Sequence, residues 1–115
     1  MLKKESQLSE WDLLQKKLKE KFGEELPVDA ILFLIGVQEL GMGRKKFKKD
    51  DKVNLMHIAI CTLLEPYGFY KFEGRDKEGW PHWILQEQLP PLDSKQQNRF
   101  IIEAIVEYFK KNELL

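Results

Sequence analysis

His57 and Cys61 are the side chains of this sequence best suited to chemistry, and they stand four positions apart. Residues at that spacing share one face of a helix, so an imidazole and a thiol can meet there as metal ligands or as a nucleophile and its base. The chain has one cysteine and two histidines, of which the second is His82. A structural zinc site usually takes four ligands and a catalytic one three plus water. We therefore predict no metal, no cofactor and no Cys–His nucleophile.

Sequence motifs that mark common enzymes are missing from the chain. It has no phosphate loop with a following Lys-Ser or Lys-Thr, no HExxH, no Gly-x-Ser-x-Gly and no EF-hand loop. The acidic pairs at residues 24–25 and 50–51 fall at a predicted helix end and a predicted helix start, where solvation and capping explain them. We predict that the protein is not an enzyme.

A run of cations at residues 44–52 is the sharpest charge feature. Six positive and two negative side chains give this segment a net charge of +4, whereas nineteen basic and nineteen acidic residues leave the whole chain neutral. Such a loop, with Phe47 inside it, can hold phosphates and stack a base, or it can be a solvated loop whose aromatic ring packs in the core. We expect the loop to be mobile and its cations exposed. The candidate phosphate ligands are Arg44, Lys45, Lys46, Lys48 and Lys49.

Aromatic residues are concentrated in two runs, residues 67–73 and 80–87, which flank a polar turn bounded by Gly74 and Gly79. This arrangement predicts a β-hairpin, with Pro81 at a strand start or on an edge because proline cannot donate a ladder hydrogen bond. Helices can cover the aromatic side chains on both faces, or part of this surface can be exposed for binding. The residues predicted to bind a partner are Phe72, Trp80, Pro81, His82 and Trp83.

The two tryptophans of this segment are expected to play different roles. Trp83 is followed by Ile84 and Leu85, so we predict that it is the core ring. Trp80 adjoins the polar turn, and we predict that it contacts the partner. Tryptophan is common at binding hot spots because it combines a large contact area with a hydrogen-bond donor. The partner is predicted to be another protein or a second copy of the chain.

Stretches of helical periodicity surround the hairpin and must position it. A first helix is predicted from Ser9 to Gly23, and a second from about Pro27 to Gly41. Gly36 lies in the middle of the second helix, where the absence of a side chain allows a neighbouring element to come close. A third helix is predicted to begin at one of the two aspartates at residues 50–51 and to end at Glu65-Pro66.

A last helix is predicted after Asp93 or Ser94, either of which can cap it. The predicted fold is therefore α+β and mostly helical, with three helices, a two-stranded antiparallel β-hairpin and a C-terminal helix. With 115 residues, of which 43% are hydrophobic, the chain is expected to form a single globular domain over residues 1–115, with residues 1–7 frayed.

The apolar runs of the chain predict no membrane segment. The longest, residues 30–37, is far shorter than the ~20 residues that span a bilayer, and residues 1–6 show no apolar region typical of a signal peptide. A single cysteine also excludes an intrachain disulfide. We expect a cytoplasmic protein.

Three segments, LIGVQELG at residues 34–41, LMHIA at residues 55–59 and GWPHW at residues 79–83, resemble a small bacterial family of uncharacterised proteins. The similarity covers residues 28–90. It implies no activity, since none is assigned to that family.

The order of three helices and a hairpin is also similar to a winged-helix module, in which the third helix enters the DNA major groove and the hairpin is the wing. The third helix would expose Lys52, Asn54, His57 and Glu65, which is a poor basic reading face. The charges of the turn cancel, the connection before the third helix is long, and the strand usual between the first two helices is missing. Contact of the cationic loop with phosphates stays possible.

Two functions follow from these patterns. The first is a non-catalytic protein-interaction module that binds another protein or a second copy of itself through the aromatic hairpin or the last helix. The alternative is a weak nucleic-acid binder that uses the cations of residues 44–52. Salt distinguishes them, because counterion release makes nucleic-acid binding fall steeply with salt, whereas an apolar interface responds little.

Overall fold

A computed structural model describes residues 2–41 and 47–112 of the chain. The helices are α1 (Leu2–Phe22), α2 (Val28–Leu40), α3 (Lys49–Leu64) and α4 (Ser94–Lys111), with a short 3-10 helix (Glu65–Tyr67) after α3. The strands are β1 (Tyr70–Arg75) and β2 (Pro81–Leu85), which lie between the 3-10 helix and α4. The predicted α+β, mostly helical fold and its order of elements are confirmed.

The contacts divide the chain into two compact units. One unit comprises Met1–Pro27 and Pro91–Leu115, and it contains α1 and α4. The other is Val28–Pro90, and it contains α2, α3 and the hairpin. The single domain over residues 1–115, and the fraying of residues 1–7, stay predictions.

In the first unit, α1 packs against α4. Leu14 and Leu18 of α1 are buried, and an ion pair joins Lys110 Nζ of α4 to Glu10 Oε2 at 2.9 Å. Asp93 caps α4, since its side chain accepts a hydrogen bond from the backbone N–H of Gln96. Of the two caps considered for this helix, Asp93 is therefore confirmed.

The start of α1 differs from the prediction. The helix begins at Leu2, so the proposed cap at Ser9 lies inside it. Leucine, lysine, glutamate and glutamine all favour helix, which explains why the helical backbone extends N-terminal to Ser9. The other end is as expected, since Gly23 closes α1 with a left-handed φ of 86°.

In the second unit, α2 and α3 approach each other closely at Gly36. A Cβ atom at that position would lie 2.1 Å from the carbonyl oxygen of Leu55, which is far inside van der Waals contact. Glycine is thus required by the helix packing, and the close approach that its missing side chain allows is present. The surrounding side chains of both helices are buried and form the core of this unit; they include Ile31, Ile35, Leu40, Leu55 and Ile58.

The start of α3 also differs from the prediction. Lys48 occupies the cap position in extended backbone, and the carboxylate of Asp51 reaches back to accept its backbone N–H at 2.9 Å. Neither Asp50 nor Asp51 is the cap, because both already lie within the helix. At the other end α3 stops at Leu64 and Pro66 lies in the 3-10 helix, as predicted.

The hairpin is a two-stranded antiparallel sheet. Tyr70 pairs with Leu85 and Phe72 with Trp83, and a bulge after Phe72 shifts the register before Gly74. Pro81 begins β2, as its missing N–H requires. In the described part of the chain, no helix is both long enough and apolar enough to cross a membrane.

Candidate interaction surface on the hairpin

One face of the hairpin carries two cross-strand pairs of apolar side chains. Phe72 and Trp83 lie directly opposite each other, with ring centroids 5.3 Å apart and ring planes at 66°. Tyr70, in the next pair of this face, packs edge-on against His57 of α3, with ring centroids 6.3 Å apart. The hairpin is thereby fixed to α3 at the beginning of β1, while the Phe72–Trp83 pair lies farther along the strands.

Several large apolar side chains along the strands are exposed. Phe72 is 43% exposed, Ile84 45% and Leu85 50%. Strand alternation sends Ile84 to the face opposite Trp83 and Leu85, so exposed apolar groups flank β2 on both sides. We call Phe72, Trp83, Ile84 and Leu85 the hairpin surface.

Trp80, predicted to contact the partner, lies against the core, and Trp83, predicted to be the core ring, lies beside an exposed residue. Trp80 is half-buried and packs against the core cluster formed by Leu40, Leu55 and Ile58. Trp83 is also half-buried, but its ring partner is the exposed Phe72. Its indole Nε1 is buried and finds no hydrogen-bond acceptor among the described residues. Pro81, half-buried between the two, begins the strand.

His82 is exposed, and it contacts the turn of the hairpin. Its Nε2 lies 2.9 Å from Asp76 Oδ2. The other carboxylate oxygen of Asp76 accepts the backbone N–H groups of Glu78 and Trp80, so one aspartate organises the whole turn. The hydrogen bond from His82, followed by that from Trp80, lowers the pKa of the Asp76 carboxyl. His82 therefore helps to hold the turn.

Arg75 anchors the turn to the end of α2. Its guanidinium donates to the carbonyl oxygens of Glu39 at 2.7 Å and Leu40 at 3.0 Å, and also to that of Gly79 at 2.9 Å. The last carbonyls of a helix lack partners within the helix and carry its negative partial charge, so a cation is favoured there. The sequence shows Arg75 only as one of four cancelling turn charges, because its partners on α2 are 35 and 36 positions away.

The two strands have different outer edges. On β1, the backbone N–H of Phe72 donates to Glu65 Oε2 at 3.3 Å, and the strand carries Lys71, Glu73 and Arg75. The sequence of β2, PHWIL, contains no lysine, arginine, aspartate or glutamate. Charged side chains on an edge strand discourage pairing with another chain, so β1 is protected in a way that β2 is not.

The cations predicted to hold phosphate are only partly within the described chain. Arg44, Lys45 and Lys46 lie outside it, whereas Lys48 and Lys49 are exposed at the beginning of α3. Phe47 packs against the core of the second unit and meets Phe33 edge-on at a centroid distance of 6.4 Å. The aromatic ring considered for base stacking therefore lies in the core.

His57 and Cys61 do meet on α3, with 3.5 Å between Nε2 and Sγ. Cys61 is fully buried, and burial raises the pKa of its thiol to about 11. The thiol is therefore protonated at neutral pH and is a poor nucleophile. Among residues 2–41 and 47–112, no group of three or more histidine, cysteine, aspartate or glutamate side chains is arranged to hold a metal ion.

Comparisons of the chain with protein-family models, with curated proteins and with solved structures find no match. The resemblances to a small bacterial family and to winged-helix modules stay predictions.

Proposed function

We propose that the chain is a non-catalytic protein-interaction module that binds another polypeptide through the hairpin surface. The observation that carries this proposal is the character of β2, which has no charged side chain and has exposed Ile84 and Leu85 beside an outer edge. Exposed apolar side chains that cluster on one element are typical of binding sites, whereas single ones are common on any surface.

The geometry of the hairpin surface supports a binding role. The Phe72 and Trp83 rings support each other edge-on, so less side-chain freedom remains to be lost when a partner binds. The buried Nε1 of Trp83 lacks an acceptor in the described chain, and such a donor costs about 1–3 kcal/mol.

Two features support a role without catalysis. The Cys61 thiol is buried and protonated, and His82 is engaged with Asp76 in the turn. A free, buried thiol is also typical of a reducing compartment, and we propose the cytoplasm as the place of action.

The charge of the surface also separates this proposal from nucleic-acid binding. No lysine or arginine lies in β2, so neutralisation of phosphates contributes nothing to binding there. We expect the affinity for a polypeptide to change little with salt, whereas a nucleic-acid complex weakens steeply as salt rises.

A selection from a displayed library of random peptides on the immobilised protein tests the proposal. Selected peptides are then measured against the Ile84→Glu and Phe72→Glu variants. Val53→Glu is the matched control, because Val53 is a 69% exposed apolar residue that belongs to α3 and not to the hairpin. Burying an unpaired carboxylate in an interface is costly, so we expect each hairpin variant to lose at least about tenfold in affinity and the control to keep it.

Circular dichroism and thermal melts of the variants show whether they are folded. Peptides that bind all the folded variants equally would contradict the proposal. So would a selection that yields no binder, or binding to nucleic acid with a steep salt dependence and none to peptides.

A further inference from the structure

We propose that the polypeptide bound at β2 is a second copy of this chain, whose own β2 pairs with it antiparallel to form a four-stranded sheet. This inference rests on the proposed function and names the partner. Three observations support it: the direction of the backbone groups on β2, the difference between the two edges of the hairpin, and the absence of lysine, arginine, aspartate and glutamate from β2.

The backbone groups of Trp83 and Leu85 point to the outer edge of β2. In an antiparallel ladder, residues alternate between pairs that exchange hydrogen bonds and pairs that do not. Gln86 N–H donates to the carbonyl of Phe69, so Phe69 and Gln86 are a pair of the kind that exchanges hydrogen bonds. The remaining pairs alternate from there. The Phe72–Trp83 pair then falls among the pairs that do not exchange bonds, which agrees with the outward donation of Phe72 N–H to Glu65.

The outer edge of β2 is therefore the one open to a partner strand. On β1, the side chain of Glu65 satisfies the outward N–H of Phe72. On β2, no hydrogen bond from described residues outside the hairpin reaches the backbone of Trp83 or Leu85. A strand presents donors and acceptors at the spacing of these groups.

A two-fold axis beside Ile84 gives hydrogen-bond partners to the outward backbone groups of both copies of β2. Trp83 then exchanges hydrogen bonds with Leu85 of the partner subunit, and Leu85 with Trp83 of the partner subunit. Ile84 lies opposite Ile84 of the partner subunit, and the two side chains meet at the close distance of a pair without hydrogen bonds. An axis centred on Trp83 would instead pair Leu85 with Pro81 of the partner subunit, which has no N–H to donate.

Charge allows this self-association. A homodimer brings each charged group of its interface close to its own copy, and β2 contains no charged residue that would repel itself. The chain as a whole is also neutral, so no long-range repulsion opposes the encounter. A short strand buries less area than a standard stable interface, and we expect a dimer that dissociates on dilution.

Sedimentation of the purified chain over a wide range of concentration tests the inference. We expect a reversible monomer–dimer equilibrium that changes little with salt. In the Ile84→Lys variant and in the Ile84→Glu variant, like charges face each other across the axis, so each should dimerise at least about tenfold more weakly. Val53→Lys and Val53→Glu are the matched controls and should dimerise as the unchanged chain does.

Mixing the two Ile84 variants distinguishes this register from any other. The mixture places opposite charges across the axis, so the heterodimer should form more tightly than the homodimer of either variant. If both variants fail to fold, hydrogen exchange of the unchanged chain replaces them, and the N–H groups of Trp83 and Leu85 should become protected as the concentration rises.

A chain that stays monomeric at every concentration, folded variants whose mixture forms no heterodimer, or N–H groups that exchange equally at all concentrations would overturn the inference. The peptide selection reports separately on the proposed function. A monomer that still loses its selected peptides on Ile84→Glu refutes the second copy and leaves the interaction module standing.

Discussion

Trp80 and Trp83 lie three positions apart on the same hairpin, and their surroundings differ. Near Trp80 the hairpin is fixed: the ring packs on the core of the second unit, and Arg75 binds the last carbonyls of α2. Near Trp83 the strand is exposed, with Ile84 and Leu85 beside an outer edge that carries no charge. The difference teaches that the hairpin is held by its turn and by the beginning of β1, which leaves β2 available to a partner.

The largest expected difference is between the stability losses of the Trp80→Ala and Trp83→Ala variants. Trp80→Ala removes a ring that packs on Leu40, Leu55 and Ile58, so we expect the free energy of unfolding to fall by about 3 kcal/mol. Trp83→Ala removes a ring from the exposed region and also an unsatisfied donor, so we expect a loss of about 1 kcal/mol. Urea unfolding measures both. Equal losses would mean that the two ends of the hairpin are not distinct.

Gly36→Ala tests the helix packing that supports the fixed end. The added Cβ would lie 2.1 Å from a backbone oxygen of Leu55, and overpacking of this kind costs up to about 3 kcal/mol. The gain in helix propensity from glycine to alanine is about 1 kcal/mol. The net loss in unfolding free energy is therefore about 2 kcal/mol, measured by urea unfolding. A variant as stable as the unchanged chain would contradict the close approach of α2 and α3.

Arg75→Ala tests the contact between the turn and α2. Its loss leaves the carbonyls of Glu39 and Leu40 without this cation, and we expect a cost of about 1 kcal/mol because the side chain is exposed. Lys77→Ala, an exposed cation of the same turn, is the matched control and should have almost no effect. Thermal melts of the two variants compare them, and equal melting temperatures would show that the anchor contributes nothing.

The smallest effect is expected from the acid titration of Asp76. Its pKa is lowered in the folded chain, so the stabilisation is present above the usual aspartate value of 3.8 and is lost as pH falls through the lower folded value. Asp76→Asn should therefore be less stable than the unchanged chain at neutral pH, and the gap should narrow in acid. Urea unfolding at several pH values measures the gap. A gap that does not depend on pH would argue against a role for the carboxylate charge.

Much of this fold could be predicted from the sequence, because its signals are local. Helical periodicity predicted the four helices, and the two aromatic runs on either side of the polar turn predicted the hairpin. The cap of α4 was narrowed to Asp93 or Ser94, since a cap depends on one residue and its neighbours, whereas the approach of Leu55 to Gly36 depends on another helix.

The surroundings of the two tryptophans could not be predicted in the same way. Alternation along a strand shows which residues share a face, but it does not show which end of the hairpin packs on helices. That choice depends on Arg75 reaching α2, a contact between residues 35 and 36 positions apart. For the same reason Ile84 and Leu85, which led to the prediction that Trp83 is the core ring, are exposed.

The indole N–H resonances provide the most direct measurement of the central claim, that a polypeptide binds at β2. The chain has three tryptophans, so a proton–nitrogen spectrum contains three such signals, from Trp11, Trp80 and Trp83. On titration with a selected peptide, we expect the signal of Trp83 and the backbone amides of Trp83 and Leu85 to shift most. Shifts confined to Trp11 and α4, with Trp83 unchanged at saturation, would contradict the assignment of the binding surface to the hairpin.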